Sequence, residues 1–98
     1  MTIEIKKSAA ETILEIEGRL DTITAPALDK TISENIGDIK NLVLDFKKLD
    51  YISSAGLRVL LGAQKKMLKV GTMKVTNVCH EVMEVFEMTG FADILTIE

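Results

Sequence analysis

A single α/β domain is what this sequence predicts: a mixed sheet of four to five strands packed with helices, in the order β-β-α-β-α-β-α-β. Three observations carry that prediction. Residues 3–17 alternate apolar with charged side chains. A short apolar run, Asn41–Phe46, gives way to residues at helical spacing. A second strand-then-helix pattern follows Gly71. Alternation of strands and helices implies parallel central strands with helices packed on the sheet.

Each element has its own reason. Ile3 and Ile5, then Thr12, Leu14 and Ile16, stand among Glu4, Lys6, Ile13, Glu15 and Glu17. A period of two predicts two half-buried strands, joined as a hairpin through Ser8–Glu11. Gly18-Arg19-Leu20-Asp21 breaks that pattern. A helix is expected from about Thr24, because threonine is a good cap and Pro26 falls in the first turn, where its missing N–H costs nothing. Ala25, Leu28, Ile32 and Ile36 give its inner face, and Gly37 its stop. Asn41–Phe46 reads as a buried strand. Leu57, Leu60, Leu61, Gln64 and Leu68 mark one face of the next helix, with Val59, Ala63 and Met67 broadening it. Gly71 ends that helix and Thr72–Thr76 is a strand. Asn77 is the candidate cap of a shorter helix that turns Val78, Val82, Val85 and Phe86 inward and stops at Gly90. Ile94–Ile97 reads as a last strand or tail.

Bulk properties exclude several function classes. Ninety-eight residues make one domain, 1–98, and 47% apolar with 28% charged residues describes a compact soluble globule. A net charge of −3 lacks the basic field that nucleic acid demands. Phe46, Tyr51, Phe86 and Phe91 are the only aromatics, too few for a stacking platform. Cys79 stands alone, so no intramolecular disulfide is possible, which fits a reducing compartment and a cytoplasmic protein. The N-terminus does not read as a signal peptide, and no apolar run approaches the ~20 residues of a membrane span.

The stretch "LDYISSAGLR", Leu49–Arg58, falls at a strand-to-helix junction. In sheets of this kind function concentrates beyond the carboxyl ends of strands. Ser53 or Ser54 would cap the helix, with the hydroxyl accepting from its first free N–H groups. Ala55 and Gly56 leave the other N–H groups open, and the positive end of the helix dipole stabilises an anion there. Two readings stay open. One is capping alone. The other is a serine that receives a phosphate, about −1.5 to −2 charges, and presents it to a partner.

Catalytic patterns are weak. His80 is the one histidine, and neither serine lies in Gly-x-Ser-x-Gly. Cys79-His80 lacks the further ligands of a metal site, and Gly56 with Gly62 makes no phosphate loop. Asp21, Asp45 and Asp50 have turn and strand-end explanations. Arg58, Lys65, Lys66 and Lys69 on one helix, and Glu81, Glu84 and Glu87 on the other, read as solvated faces. Met67, Met73, Met83 and Met88 read as core filler. The expectation is no enzyme, no catalytic residue, no cofactor and no metal.

Three segments together carry a resemblance: "GRLDTITAPAL", "NLVLDFKKLDYISSAGLRVLL" and "VTNVCHEVMEVFEMTGFADIL". They resemble the STAS domain family, specifically its single-domain bacterial anti-sigma factor antagonists. That resemblance implies a STAS-like fold. Aligned on Gly56-Leu57, it puts Ser54 at the serine that family kinases phosphorylate and Ala55 at the variable position beside it. Ser53 falls where the family usually has Asp, and is the runner-up acceptor. Asp21 matches the Asp of the family's first loop, near the partner-binding edge. The implied partner surface is Asp21, Thr22, Tyr51, Ser53, Ser54, Ala55, Gly56 and Arg58.

The resemblance also implies a switch. Unphosphorylated protein binds an anti-sigma factor that is also a serine protein kinase, and the sigma factor is freed. Phosphorylation of the loop serine separates the pair, and a serine/threonine phosphatase resets it. ATP and Mg²⁺ belong to the kinase. An alternative from the same family is a STAS subunit of a lipid-transport ATPase complex, acting as a structural partner. An enzyme or nucleotide-binding module is the third.

Overall fold

The computed structural model describes residues 1–35, 37 and 39–98. Four strands and three helices follow one another as β1 (Thr2–Lys7), β2 (Thr12–Leu20), α1 (Ala25–Asn35), β3 (Asn41–Ile52), α2 (Ser54–Val70), β4 (Thr72–Thr76) and α3 (His80–Thr89). The strands form one mixed sheet in the order β1-β2-β3-β4. The hairpin partners β1 and β2 are antiparallel, while β2–β3 and β3–β4 are parallel. The α/β class and the element order therefore hold, with one change at the end. The closing strand expected at Ile94–Ile97 is a single parallel bridge, Val75 to Ile97. It is held by Val75 N–H donating to the Thr96 carbonyl (2.8 Å) and Glu98 N–H donating to that of Val75 (2.9 Å).

The period of two holds in β2, where Thr12, Leu14 and Ile16 are buried, whereas in β1 only Ile3 is half-buried and Ile5 is 44% exposed. Ile3 faces Ile16 and Ile5 faces Leu14 across the hairpin, which turns all four the same way. That side of the sheet carries the core: Leu14, Ile16, Leu42, Leu44, Phe46 and Val75 pack with Leu28, Ile32, Leu60, Met67 and Phe86 of the helices. The opposite side carries Glu4, Lys6, Glu15 and Asp45, with Lys6 Nζ on Glu15 Oε2 at 3.0 Å.

Several local expectations are corrected. The segment Gly18–Leu20 does not leave the strand but continues it past an irregularity, where Gly18 takes φ +104. The strand at Asn41 runs on to Ile52, twice the expected length, because Leu49 and Ile52 are buried on its inner side. Leu68 is 69% exposed rather than inward. The buried arc of α2 runs through Gly56, Leu60, Ala63 and Met67, and one position further round, ~100° on, Leu61 and Leu68 reach its margin and solvent. Met88 is exposed rather than core. Cys79, not Asn77, is the N-cap of α3. Asn77 instead takes a left-handed φ of 56 and donates to Asp45 Oδ1 at 3.1 Å. The expected inner position Ile36 lies outside the described residues.

Candidate functional site

Leu20 and Ile52 are register partners at the carboxyl ends of two parallel strands, so the chain leaves the sheet twice at one place. Ser53 N–H donates to the Leu20 carbonyl (2.9 Å) and ties the exits together. Because β3 reaches Ile52, Ser53 alone joins strand to helix; the anticipated loop is a one-residue junction. Ser53 is the N-cap by position, with extended φ −102 and ψ 177, and its carbonyl accepts the first helical bond from Leu57 N–H (3.0 Å). Its hydroxyl does not cap. Ser53 Oγ is shut off from solvent and has no partner among the described residues.

Ser54 is the first helical residue and is exposed. Arg58, one turn on and also exposed, shares its helix face. Ala55 is half-buried and Gly56 is buried. A Cβ at Gly56 would stand 2.8 Å from both Ile52 Cγ1 and Leu20 Cγ. Gly56 thus adds no partner-facing surface. It lets α2 start close against the ends of β2 and β3.

The second exit, Asp21–Thr24, is a locked turn. Asp21 Oδ1 accepts from the N–H of Ile23 (3.0 Å) and of Thr24 (3.1 Å). Thr24 Oγ1 accepts from Asp21 N–H (2.9 Å) and donates to the Arg19 carbonyl (2.7 Å). Thr24 therefore precedes α1 as expected, but its hydroxyl bonds backward into the turn instead of capping the helix. The Thr24 N–H is the main influence that holds the Asp21 carboxyl below the usual range, followed by Ile23 N–H, the Thr24 hydroxyl and the Arg19 charge, against some desolvation. A carboxyl lowered in the folded state stabilises fully above its unfolded value, about 4, and loses that contribution as pH falls through the folded value. In urea melts the stability gap between wild type and Asp21→Ala should narrow as pH falls from 6 to 2. A stability gap that stays constant over that range would refute the assignment.

Thr22 is exposed at the tip of this turn. Tyr51, 40% exposed, pairs with Arg19 across β2 and β3, and Arg19 Cζ lies 4.2 Å from its ring centroid. Arg19 Nε also stands 3.8 Å from Asp21 Oδ2. Asp21, Thr22, Tyr51, Ser53 and Ser54 are thereby brought to one end of the sheet. Sequence reasoning missed Arg19 and Ile23 there. Nothing in the sequence pattern marks either one: Arg19 falls in the segment read as breaking the strand, and its partner Tyr51 lies in the part of β3 that the pattern did not reveal.

Comparison with known proteins decides the family. Residues 2–98 match the STAS domain. The chain is a STAS domain. A relative from Bordetella bronchiseptica named as anti-sigma factor antagonist BtrV is 33% identical over 100 residues, spanning 99% of this chain and 85% of that protein. The anti-sigma-B factor antagonist of Bacillus subtilis is 26% identical, spanning 99% and 90%. An anti-sigma factor antagonist from Mycobacterium paratuberculosis, solved as a crystal structure, superposes with TM-score 0.89 at 23% identity, over 98% of this chain and 83% of that one. At that identity the likeness establishes a shared fold.

Cys79 and His80 each have a local partner. Cys79 Sγ donates to the Leu49 carbonyl at 3.4 Å, and exposed His80 pairs with Glu84 one turn on (2.9 Å). Among the described residues no group of His, Cys, Asp or Glu is arranged to hold a metal ion, and no helix is long and apolar enough to cross a membrane.

Proposed function

We propose that this STAS domain is a cytoplasmic anti-sigma factor antagonist switched by phosphorylation of Ser54. Unphosphorylated, it docks on an anti-sigma factor that is also a serine kinase, and the sigma factor is released. The kinase passes the γ-phosphoryl group of ATP to Ser54 Oγ; ADP leaves and the hydroxyl proton goes to a base of the kinase. A serine/threonine phosphatase returns the hydroxyl.

The contrast between two neighbouring hydroxyls carries this reading. Ser54 Oγ belongs to an exposed residue in the first turn of α2, whereas Ser53 Oγ is inaccessible behind it. A phosphate at that end of a helix is electrostatically favoured, so it leaves the fold standing while changing what a partner meets. The relatives' names support the antagonist part of the reading alone.

The chain, incubated with each serine-kinase anti-sigma factor encoded in its own genome and with Mg-ATP, should gain one phosphate, and peptide mass mapping should put it on Ser54. Phosphate on Ser53 alone, or on neither, defeats the assignment. Co-purification with a lipid-transport ATPase instead of an ATP-binding kinase would replace the reading with the transport-subunit one.

A further inference from the structure

Ile23 is 87% exposed, yet it is not loosely held. Its own N–H is bonded to Asp21 Oδ1, and the turn around it is closed by Thr24 and by Ala25 N–H donating to the Asp21 carbonyl (2.8 Å). An isolated exposed apolar side chain needs no explanation by itself. This one sits on a hydrogen-bonded mount, at the sheet end where Ser54, Arg19 and Tyr51 also emerge. The bonds fix the backbone from which this side chain projects, so only its own rotamers are left to order when it docks, which suits an interface anchor.

We propose that Ile23 is the apolar anchor by which this chain grips the anti-sigma factor, seated in a small apolar socket beside the position that receives Ser54. This rests on the reading of Ser54 above. The stacked Arg19 and Tyr51 form the rim: Tyr51 offers a flat, half-exposed ring, and the Arg19 charge is partly answered by Asp21. Ile23 has no part in the phosphoryl transfer, so its contacts are the same before and during that step. It should therefore set the KM for phosphorylation and leave kcat unchanged.

The test uses the intact chain and the serine-kinase anti-sigma factor from its genome that binds it. Ile23→Asp should bind about tenfold or more weakly, the scale set by losing one buried isoleucine side chain. Ile23→Val should stay within about fourfold, since it lacks only one methylene. Met88→Asp is the control, a like substitution at a side chain 86% exposed at the far end of α3, and should change nothing. Circular dichroism should be identical for all. The KM for phosphorylation should rise with Kd in Ile23→Asp at constant kcat. The inference is overturned if Ile23→Asp binds within about twofold of wild type, if Met88→Asp weakens binding as much, or if kcat falls at constant KM. Failure of the wild type itself to bind, or to be phosphorylated on Ser54, is a different result: it removes the Ser54 reading and with it the partner assigned to Ile23.

Discussion

Ser54→Asp is expected to leave the fold intact and to weaken anti-sigma factor binding by about thirtyfold or more. The fold should survive because Ser54 is exposed and its hydroxyl has no partner among the described residues. A carboxylate in the first turn of α2 also meets the positive end of the helix, worth about 0.3–1 kcal/mol in its favour. Wild-type α2 has no acidic residue in that turn, so the new charge meets no like neighbour on the helix. Binding should collapse because a partner seated over Ser54 strips water from whatever stands there. An uncompensated charge in a desolvated interface costs about 2–5 kcal/mol, roughly 30- to several thousand-fold in affinity. Ser54→Ala has no such charge and no phosphate acceptor, so it should bind as wild type does and stay bound in the presence of ATP. Isothermal titration of both variants, beside thermal melts, separates the effects. If Ser54→Asp melts like wild type and binds like wild type, the switch is not at this residue.

Local signals made much of this fold legible, and non-local ones set the remainder. The hairpin strands showed their period of two, and Gly71 and Gly90 stopped their helices because backbone chemistry at a helix end is local. The second half of β3 was not legible. Lys47, Lys48 and Asp50 interrupt its apolar run, and only pairing with β2, through two register shifts, keeps it a strand. That extension shortened the expected signature loop to Ser53. Thr24 and Ser53 both occupy cap positions, and neither uses its hydroxyl as a cap: that of Thr24 is engaged in the Asp21 turn, and that of Ser53 is buried without a partner among the described residues. The family pattern pointed to Ser54 and Asp21 by type and spacing. It said nothing of Ile23, because an apolar residue in a turn looks the same in sequence whether it faces the core or the solvent.

Gly71→Ala should destabilise the domain by about 3 kcal/mol or more, at the upper end for an overpacked site. The cause is a close approach of two backbones. A Cβ on Gly71 would lie 1.7 Å from the Lys40 carbonyl oxygen, well inside any van der Waals contact. No side-chain rotation relieves that contact, since the obstacle is main chain. That same oxygen accepts from Thr72 N–H at 2.8 Å, next to the Asn41–Thr72 pair that opens the β3–β4 ladder. Moving Lys40 aside therefore disturbs the first bonds of two strands, and the Gly71 N–H to Met67 carbonyl closure of α2 (2.6 Å) as well. For a domain of this size the Tm should fall by more than about 10 °C. Gly62→Ala provides the contrast. A Cβ there meets nothing within 4 Å, and replacing a glycine inside a helix should stabilise by roughly 0.5–1 kcal/mol. Because Gly71 closes α2 at the end opposite Ser54, the folded fraction of Gly71→Ala should still bind the partner with wild-type affinity. A variant that lost affinity in proportion to its stability would show instead that the two ends of α2 are coupled, and that the junction at Ser53 depends on how the helix is anchored at its other end.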